Sequence, residues 1–380
     1  MSGVKQATFS LTLKEGHAEE TLENLRKALD AYPILEDLNL IAAGVYPGSL
    51  QDILLCAAEG QLFSRLTSVS LDSLDLVPDG SRPFCHNFDV TKLQQLRLKN
   101  CFSLVFFLDS LTESYSEMSG VLKMLSIESL RTNDRPVETI SSIERFLKAC
   151  PKLEDIFLAL AKFGCVGKDC LLPHADTLRS LVVGNDMAEK LGHFSKHDLG
   201  SIMKACKKLE RLAINFPPVK LGSISKLGRD FYLNGTEQGS AELEGVLAEL
   251  AQCSTLHTLG MLSRPELASS DIVDENGDRL PEDVVTPQLY EVTMQNFANQ
   301  VLRYMAKQGL PPNVFHIENM HSYGLASCPI DRLNGHDLRH YTYTSGSIQD
   351  SLGFNMVVAV PLRSAYREYP DNFIIQRATT

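Results

Sequence analysis

The stretch Cys150-Pro-Lys-Leu-Glu-Asp-Ile-Phe-Leu158 contains the pattern that decides the fold of this chain. From Leu153 onward it reads aliphatic, two variable residues, aliphatic, one variable residue, aliphatic. The pattern occurs eight times, starting at Leu35, Leu66, Leu93, Leu122, Leu153, Leu178, Leu209 and Leu256. The starts are separated by 31, 27, 29, 31, 25, 31 and 47 residues, and this quasi-regular spacing indicates a structural repeat.

A second feature keeps a fixed distance from the pattern. Three residues before its first Leu, four of the copies have Tyr32, Cys150, Cys206 and Cys253. Each of these residues follows a segment with aliphatic side chains at helical spacing, such as Leu199, Ile202 and Met203. Each repeat is therefore predicted to be a helix, a tight turn and a short strand.

Stacking of these units predicts the architecture. One helix and one strand cannot bury their apolar faces alone, so neighbouring units must pack side by side. Within each strand the fourth and sixth positions point to the core, and the third and fifth point outward. The strands are predicted to be parallel and to line one surface. Because helices are wider than strands, this strand surface is expected to be concave.

The chain resembles leucine-rich-repeat proteins with long, ribonuclease-inhibitor-like repeats. The segments Cys150–Ile156 and Cys206–Leu212 are similar to the repeat region of F-box leucine-rich-repeat proteins, especially the fungal kind. The resemblance covers roughly residues 7–262. It implies an α/β solenoid that serves as a non-catalytic protein–protein interaction scaffold, as in substrate recognition by F-box-type ubiquitin ligases. No F-box is found ahead of the repeats, where Ala7–Leu13 alternates like a strand.

The ninth repeat position departs from the family pattern. In the family an Asn or Cys at this position ties neighbouring turns together. Here only Cys101 fits, and the other copies have Ala43, Leu74, Leu130, Ala161, Asp186, Pro217 and Arg264. The predicted solenoid is therefore irregular.

The chain divides into a predicted solenoid, residues 1–262, and a mixed α/β C-terminal region, residues 263–380. Thr286 and Pro287 supply an N-cap and a first helical residue, which predicts a helix to about Gln308. Strands are predicted at Val314–Glu318, His340–Thr344, Phe354–Val360 and Phe373–Gln376. Two interpretations stay open: a cap on the last repeat, or a small separate domain.

Composition narrows the function classes. The chain has 380 residues, more than one compact core usually holds, and its net charge of −11 argues against a nucleic-acid partner. No secretory signal and no apolar run of membrane-spanning length is visible. Nine cysteines in such a chain are expected to be reduced thiols, which predicts a cytoplasmic or nuclear protein without a membrane partner.

The outward positions supply the candidate partner site. The fifth-position row is polar in the first half of the chain and apolar at Phe157, Val182 and Ala213. Phe157 is thus either an exposed hot spot for a protein partner or a side chain covered by a loop or by the C-terminal segment. The predicted partner-binding residues are Arg97, Met124, Asp155, Phe157, Val182 and Arg211.

Enzymatic and metal-binding alternatives rest on two clusters. Cys165, Cys170, His174, His193 and His197 resemble a zinc ligand set, although the second half lacks the usual helix context. Cys328 lies near His321, His336 and His340 in sequence, which are candidate partners for a Cys–His nucleophile pair. Because no catalytic constellation is complete, the chain is predicted to be a non-enzyme without a cofactor.

Overall fold

The computed structural model of the chain describes residues 5–12, 18–32, 34–43, 65–76, 89–117, 121–129, 136–150, 152–160, 164–184, 193–221, 240–263, 265–267, 287–318, 340–349 and 351–362. They form two compact units, Met1–Leu178 and Arg179–Thr380.

The first unit is an open parallel sheet with helices between its strands. The strands, in chain order and in spatial order, are β1 (Gln6–Thr12), β2 (Asp37–Ala43), β3 (Ser68–Asp72), β4 (Gln95–Lys99), β5 (Met124–Ser129) and β6 (Asp155–Leu160). The helices are α1 (Ala18–Asp30), α2 (Leu104–Glu117) and α3 (Pro136–Ala149). Two single turns of 3₁₀-helix follow β6, at Lys168–Cys170 and Leu172–His174.

The second unit is a mixed sheet. In chain order its strands are β7 (Ser180–Gly184), β8 (Arg211–Ile214), β9 (Lys220–Leu221), β10 (Thr258–Met261), β11 (Glu266–Leu267), β12 (Val314–Glu318), β13 (His340–Gln349) and β14 (Asn355–Pro361). The spatial order is β7-β8-β10-β12-β13-β14, with β9 and β11 as a separate parallel pair. The helices are α4 (Lys196–Ala205), α5 (Ser240–Leu250) and α6 (Pro287–Gln308). The predicted α/β class is confirmed.

The parallel strands share one register. In the first unit the third position of each copy pairs with the third position of the next, in the series Asp37, Ser68, Gln95, Met124, Asp155. In the second unit the same holds for Ser180, Arg211 and Thr258. Two further strands join in frame, since Gln6 pairs with Asp37 and Val314 pairs with Thr258. Neither β1 nor β12 is among the eight copies that the sequence pattern predicts.

The residue three positions before the pattern closes a turn. The amide of Leu209 donates to the carbonyl of Cys206 (3.2 Å), and that of Leu256 donates to Cys253 (3.3 Å). The Cys206 amide also closes α4 by donating to the carbonyl of Ile202 (2.8 Å). The copy at Leu153 differs, because its amide donates to Nδ1 of the buried His174 (3.1 Å). One small residue thus ends the helix and starts the strand.

The core lies between the helices and the strands. The fourth- and sixth-position side chains are nearly all inaccessible, as at Leu96, Leu98, Ile156 and Leu158, none above 1% exposed. The helices contribute their apolar stripes; in the first unit the ring of Phe146 meets that of Tyr115 edge to face at 5.6 Å. Aliphatic ladders therefore fill most of the interior, as a chain without Trp requires.

The C-terminal elements agree with the predicted ones. The structure has the helix Pro287–Gln308 and strands at Val314–Glu318, His340–Gln349 and Asn355–Pro361, with the middle strand longer than predicted. The predicted strand Phe373–Gln376 and the N-cap Thr286 lie outside the described residues. Gly309 follows the helix at the place where earlier copies have Cys. A Cβ there would lie 2.2 Å from the Ala251 carbonyl oxygen, so a side chain does not fit.

Candidate interaction surface

The outward side of three strands forms an accessible polar surface. We call the third and fifth positions of β3, β4 and β5 the β3–β5 face; they are Ser68, Ser70, Gln95, Arg97, Met124 and Ser126. In β4 the outward side chains are exposed and the inward ones buried, in strict alternation. In β3 the outward side chains are half-buried. This side of the sheet is therefore open to solvent at β4.

Arg97 is the central cation of the β3–β5 face. In register it lies between Ser70 and Ser126, whose short side chains leave room around the guanidinium. Its Nη2 atom approaches the sulfur of Met124 at 3.7 Å. A guanidinium presents five N–H donors in a planar fork that fits carboxylates and carbonyls. The arrangement can bind an acidic or polar group of a protein partner beside the apolar Met124 side chain.

Two more charged positions border the β3–β5 face. Lys99 is exposed and lies in register between Asp72 and Glu128, so the row beyond Arg97 alternates in charge. Asp155 is half-buried and pairs in register with Met124. The structure thus places three of the predicted residues, Arg97, Met124 and Asp155, on the same side of three adjacent strands.

Phe157, predicted as a partner-binding residue, is the covered side chain of the two interpretations and not an exposed hot spot. Its side chain is only 2% exposed, and β6 is buried continuously from Ile156 to Leu160. A strand buried at consecutive positions is covered on both faces. Phe157 is therefore part of the interior and is not available to a partner. Burial of Phe157 is favourable because leaving so large an apolar side chain in water costs about 2 kcal/mol.

Val182 of the second unit was predicted to bind a partner, and this prediction is wrong because the side chain is buried. Val182 is 2% exposed, and every residue of β7 is buried. The same strand side buries Ser180 and Thr258, and Arg211 is half-buried. Of the two predicted residues in this unit, only Arg211 keeps solvent access.

The proposed zinc ligands have other partners in the structure. His174 is fully buried and accepts a hydrogen bond from the Leu153 amide, and His193 Nε2 lies 3.0 Å from a carboxylate oxygen of Glu242. The Cys170 thiol donates to the Gly167 carbonyl (3.0 Å). Within the described ranges, no group of three or more His, Cys, Asp or Glu side chains is placed to hold a metal ion. Cys328, His321 and His336 lie outside those ranges.

Four thiols are held in the protonated form by burial. Burial raises the pKa of Cys101 and of Cys170 to about 12, and that of Cys206 to about 11. For Cys150 the direction is the same, again because the site is dry. A thiol attacks or binds metal as the thiolate. These four cysteines therefore act as small packing residues at neutral pH.

Cys101 also performs the role expected of the ninth position. Its thiol donates to the carbonyl of Leu71 in the preceding copy, at 3.3 Å. Threonine hydroxyls outside the repeat pattern tie other copies together. Thr177 donates to the Leu153 carbonyl (2.8 Å), and Thr255 donates to the Leu209 carbonyl (2.9 Å). Both threonines directly precede the first residue of the pattern, which is the signal that could have found them.

Ion pairs at the second position form another missed ladder. Within the first unit Lys5 pairs with Glu36 (2.9 Å) and Lys123 with Glu154 (3.6 Å). Within the second, Arg179 pairs with Glu210 (3.1 Å). Each pair joins consecutive copies at the same repeat position. Opposite charges at equivalent positions of successive repeats were visible in the sequence and predict this contact.

Comparison with known proteins gives no assignment. No protein-family model matches the chain, and no curated protein sequence matches it significantly. Among the described helices, none combines the length and the apolar character needed to cross a membrane.

Proposed function

We propose that this chain is a non-catalytic protein-interaction scaffold, built as an irregular leucine-rich-repeat solenoid of the ribonuclease-inhibitor-like kind. The support is the recurrence of one local structure. The third positions pair with one another in each unit, and the turn before the pattern recurs at Cys206 and Cys253. The Cys101 thiol makes the bond between copies that the family's ninth position makes.

The partner surface in this proposal is the β3–β5 face. The observation that carries it is the alternation in β4, which leaves Gln95, Arg97 and Lys99 exposed side by side. Protein interfaces use a few anchors, and arginine is among the commonest. Arg97 supplies the charged anchor, Met124 an adaptable apolar contact, and Asp155 a border charge. A partner that presents carboxylates beside a small apolar group fits this arrangement.

Residues 263–380 belong to the proposal as a cap. The strand β12 continues the parallel register of β10, β13 then runs antiparallel to β12, and β14 runs antiparallel to β13. A repeat array exposes its core at the last copy unless something covers it. The change from parallel to antiparallel pairing is a way to end the array.

The absence of catalysis in the proposal rests on the state of the thiols and histidines. Four thiols are protonated because they are buried, and the Nδ1 atom of His174 accepts a hydrogen bond from a backbone amide. None of these groups is poised as a nucleophile or base. Free thiols are stable in a reducing compartment, which fits the cytoplasm or nucleus.

Charge reversal at Arg97 tests the proposed function. The variant Arg97→Glu removes the cation but keeps a long side chain between two serines, so the fold is expected to persist. Partners are captured from native extract and quantified by mass spectrometry. The amount captured by the variant should be at least about tenfold lower than the amount captured by wild type, the loss expected when the charge of an interface anchor is reversed.

The matched control is Lys148→Glu, the same change of charge on the exposed end of α3. It should retain every partner. Equal capture by both variants and the wild type would refute the placement of the surface, and equal loss in both would point to non-specific charge attraction.

A further inference from the structure

The strand β14 lies at the end of the sheet of the second unit. Among the described strands it pairs only with β13, from Tyr343–Pro361 to Gln349–Asn355. A strand at a sheet edge exposes backbone donors and acceptors on its outer side. Such an edge can pair with another chain unless it is covered, charged or interrupted.

Register decides which backbone groups of β14 face outward. The amide of Leu362 donates to the Thr342 carbonyl (2.8 Å), so even-numbered residues direct their backbone groups to β13. In an antiparallel pair this direction alternates along the strand. The backbone groups of Val357 and Ala359 therefore point to the outer edge.

Three side chains of α6 bond to those outer groups. Arg303 Nε donates to the Val357 carbonyl (2.9 Å), and Gln295 Nε2 donates to the Ala359 carbonyl (3.3 Å). The Ala359 amide donates to Oδ1 of Asn299 (2.6 Å). We call Gln295, Asn299 and Arg303 the α6 ladder.

The spacing of the α6 ladder explains how side chains of one helix reach successive backbone groups of β14. Residues four apart lie on one face of an α-helix, so the three polar side chains form a row. Other positions of α6 are buried in the core, among them Phe297, Val301 and Met305. The helix is thus fixed by its apolar side while its polar row supplies donors and an acceptor to the strand. Pro361 ends this edge and has no amide proton to satisfy.

The sequence of β14 makes such cover necessary. Asn355-Met-Val-Val-Ala-Val-Pro361 contains no charged residue and is rich in β-branched side chains. Uncharged segments with high β-propensity pair readily with copies of themselves. Two outer edges of β14 are complementary when they run antiparallel about a two-fold axis, because each offers the same alternation of donors and acceptors.

We propose that the α6 ladder is an edge guard, which holds the outer backbone of β14 and so prevents β14 from pairing with β14 of a second copy of the chain. The guard acts by occupation, because three of the groups that a second strand would bond, the carbonyls of Val357 and Ala359 and the Ala359 amide, are already bonded within the chain. This inference is independent of the proposed partner surface, which lies in the first unit.

Removal of the ladder tests the proposal by self-association. The triple variant Gln295→Ala, Asn299→Ala, Arg303→Ala keeps helix-forming residues on α6 and frees the edge. Sedimentation velocity over about a hundredfold range of concentration should show more dimer or larger species than wild type, while Asn296→Ala on the same helix should match wild type. A triple variant that sediments as wild type at every concentration would overturn the proposal.

A second substitution distinguishes edge pairing from general unfolding. Val360 is exposed on β14, and adding Val360→Lys places a charge on the strand that opposes self-pairing. The added Lys should reverse the association of the triple variant. Association that persists would mean that another surface mediates it, and the edge-guard proposal would be wrong.

Hydrogen exchange at the Ala359 amide tests the contact without requiring association. Asn299→Ala should speed exchange at this amide about tenfold, the equivalent of one lost hydrogen bond. Asn299→Asp keeps an acceptor oxygen and should retain the protection. Equal exchange in wild type and both variants would contradict the proposed bond.

Discussion

The strands β4 and β6 belong to the same sheet and carry the same repeat pattern, yet they differ on their outward side. In β4 the outward residues Gln95, Arg97 and Lys99 are exposed. In β6 Asp155 is half-buried, and Phe157 and Ala159 are buried. On the core side the two strands are alike, since their fourth and sixth positions are inaccessible in both. The repeat therefore decides the core, and the outward residues decide whether the other face is open.

The largest expected effect comes from placing a charge at the covered position. Phe157→Arg buries a guanidinium in an apolar site and should destabilise the protein by more than about 4 kcal/mol or prevent folding. Ser126→Arg, at the register partner of Phe157 in β5, should cost less than about 1 kcal/mol because that position is only half-buried. Urea unfolding measures both. If the two variants cost the same, the contrast between the open and the covered face disappears.

Truncation on the core side should affect the two strands equally. Leu98→Ala and Leu158→Ala each remove a sixth-position side chain that is no more than 1% exposed. Each is expected to cost about 2–5 kcal/mol through lost burial and a residual cavity. Free energies of unfolding from denaturant titration give the comparison. A cost for Leu98→Ala near zero would show that the β4 side of the core is not packed as described.

Cysteine ionisation extends the comparison to pH. Burial raises the pKa of Cys101 from its ordinary value of 9.0 to about 12 in the folded state. Above pH 9 the unfolded chain therefore binds fewer protons at this site than the folded chain, and stability falls as pH rises. At pH 10 the loss is about 1 kcal/mol.

The measurement is the free energy of unfolding between pH 8 and about pH 10, compared in wild type and Cys101→Ala. The variant should lose less stability over this interval. A Cys101→Ala slope that equals the wild-type slope would contradict the dry environment of this thiol.

The smallest effects are expected on the open face and its exposed border. Arg97→Ala should change stability by less than about 0.5 kcal/mol, because exposed positions away from the core rarely matter more. Loss of the exposed Lys123–Glu154 pair should cost about 0.2–1 kcal/mol and less at high salt. Thermal unfolding at low and high ionic strength measures both. A large cost for Arg97→Ala would show that this side chain supports the fold.

Much of the fold follows from the sequence because the repeat fixes spacing, register and core together. The fourth- and sixth-position ladders, the turn at Cys206 and the C-terminal helix were predictable from residue type and interval. The strand β12 was predicted, but its place in the parallel frame was not, since Pro312 and Phe315 replace the aliphatic residues of the first and fourth positions.

The candidate surface was less predictable than the core. The fifth position of the pattern predicts that a side chain points outward, but not whether it is exposed to solvent. Phe157 has side-chain chemistry that suits both a hot spot and a core residue. Its burial depends on tertiary packing, which no local interval encodes. The α6 ladder shows the same limit: Gln295, Asn299 and Arg303 have ordinary helix spacing, and only the approach of β14 gives them a common role.

Site-specific photo-crosslinking tests the central claim most directly. A photoreactive amino acid at Gln95 places the probe at the third position of β4, and the same probe at Lys148 places it on the exposed helix side. We expect covalent partner adducts from position 95 in native extract, lost when Arg97→Glu is added, and none above background from position 148. Adducts from position 148 alone, or equal adducts from both positions, would contradict a partner surface on the β3–β5 face.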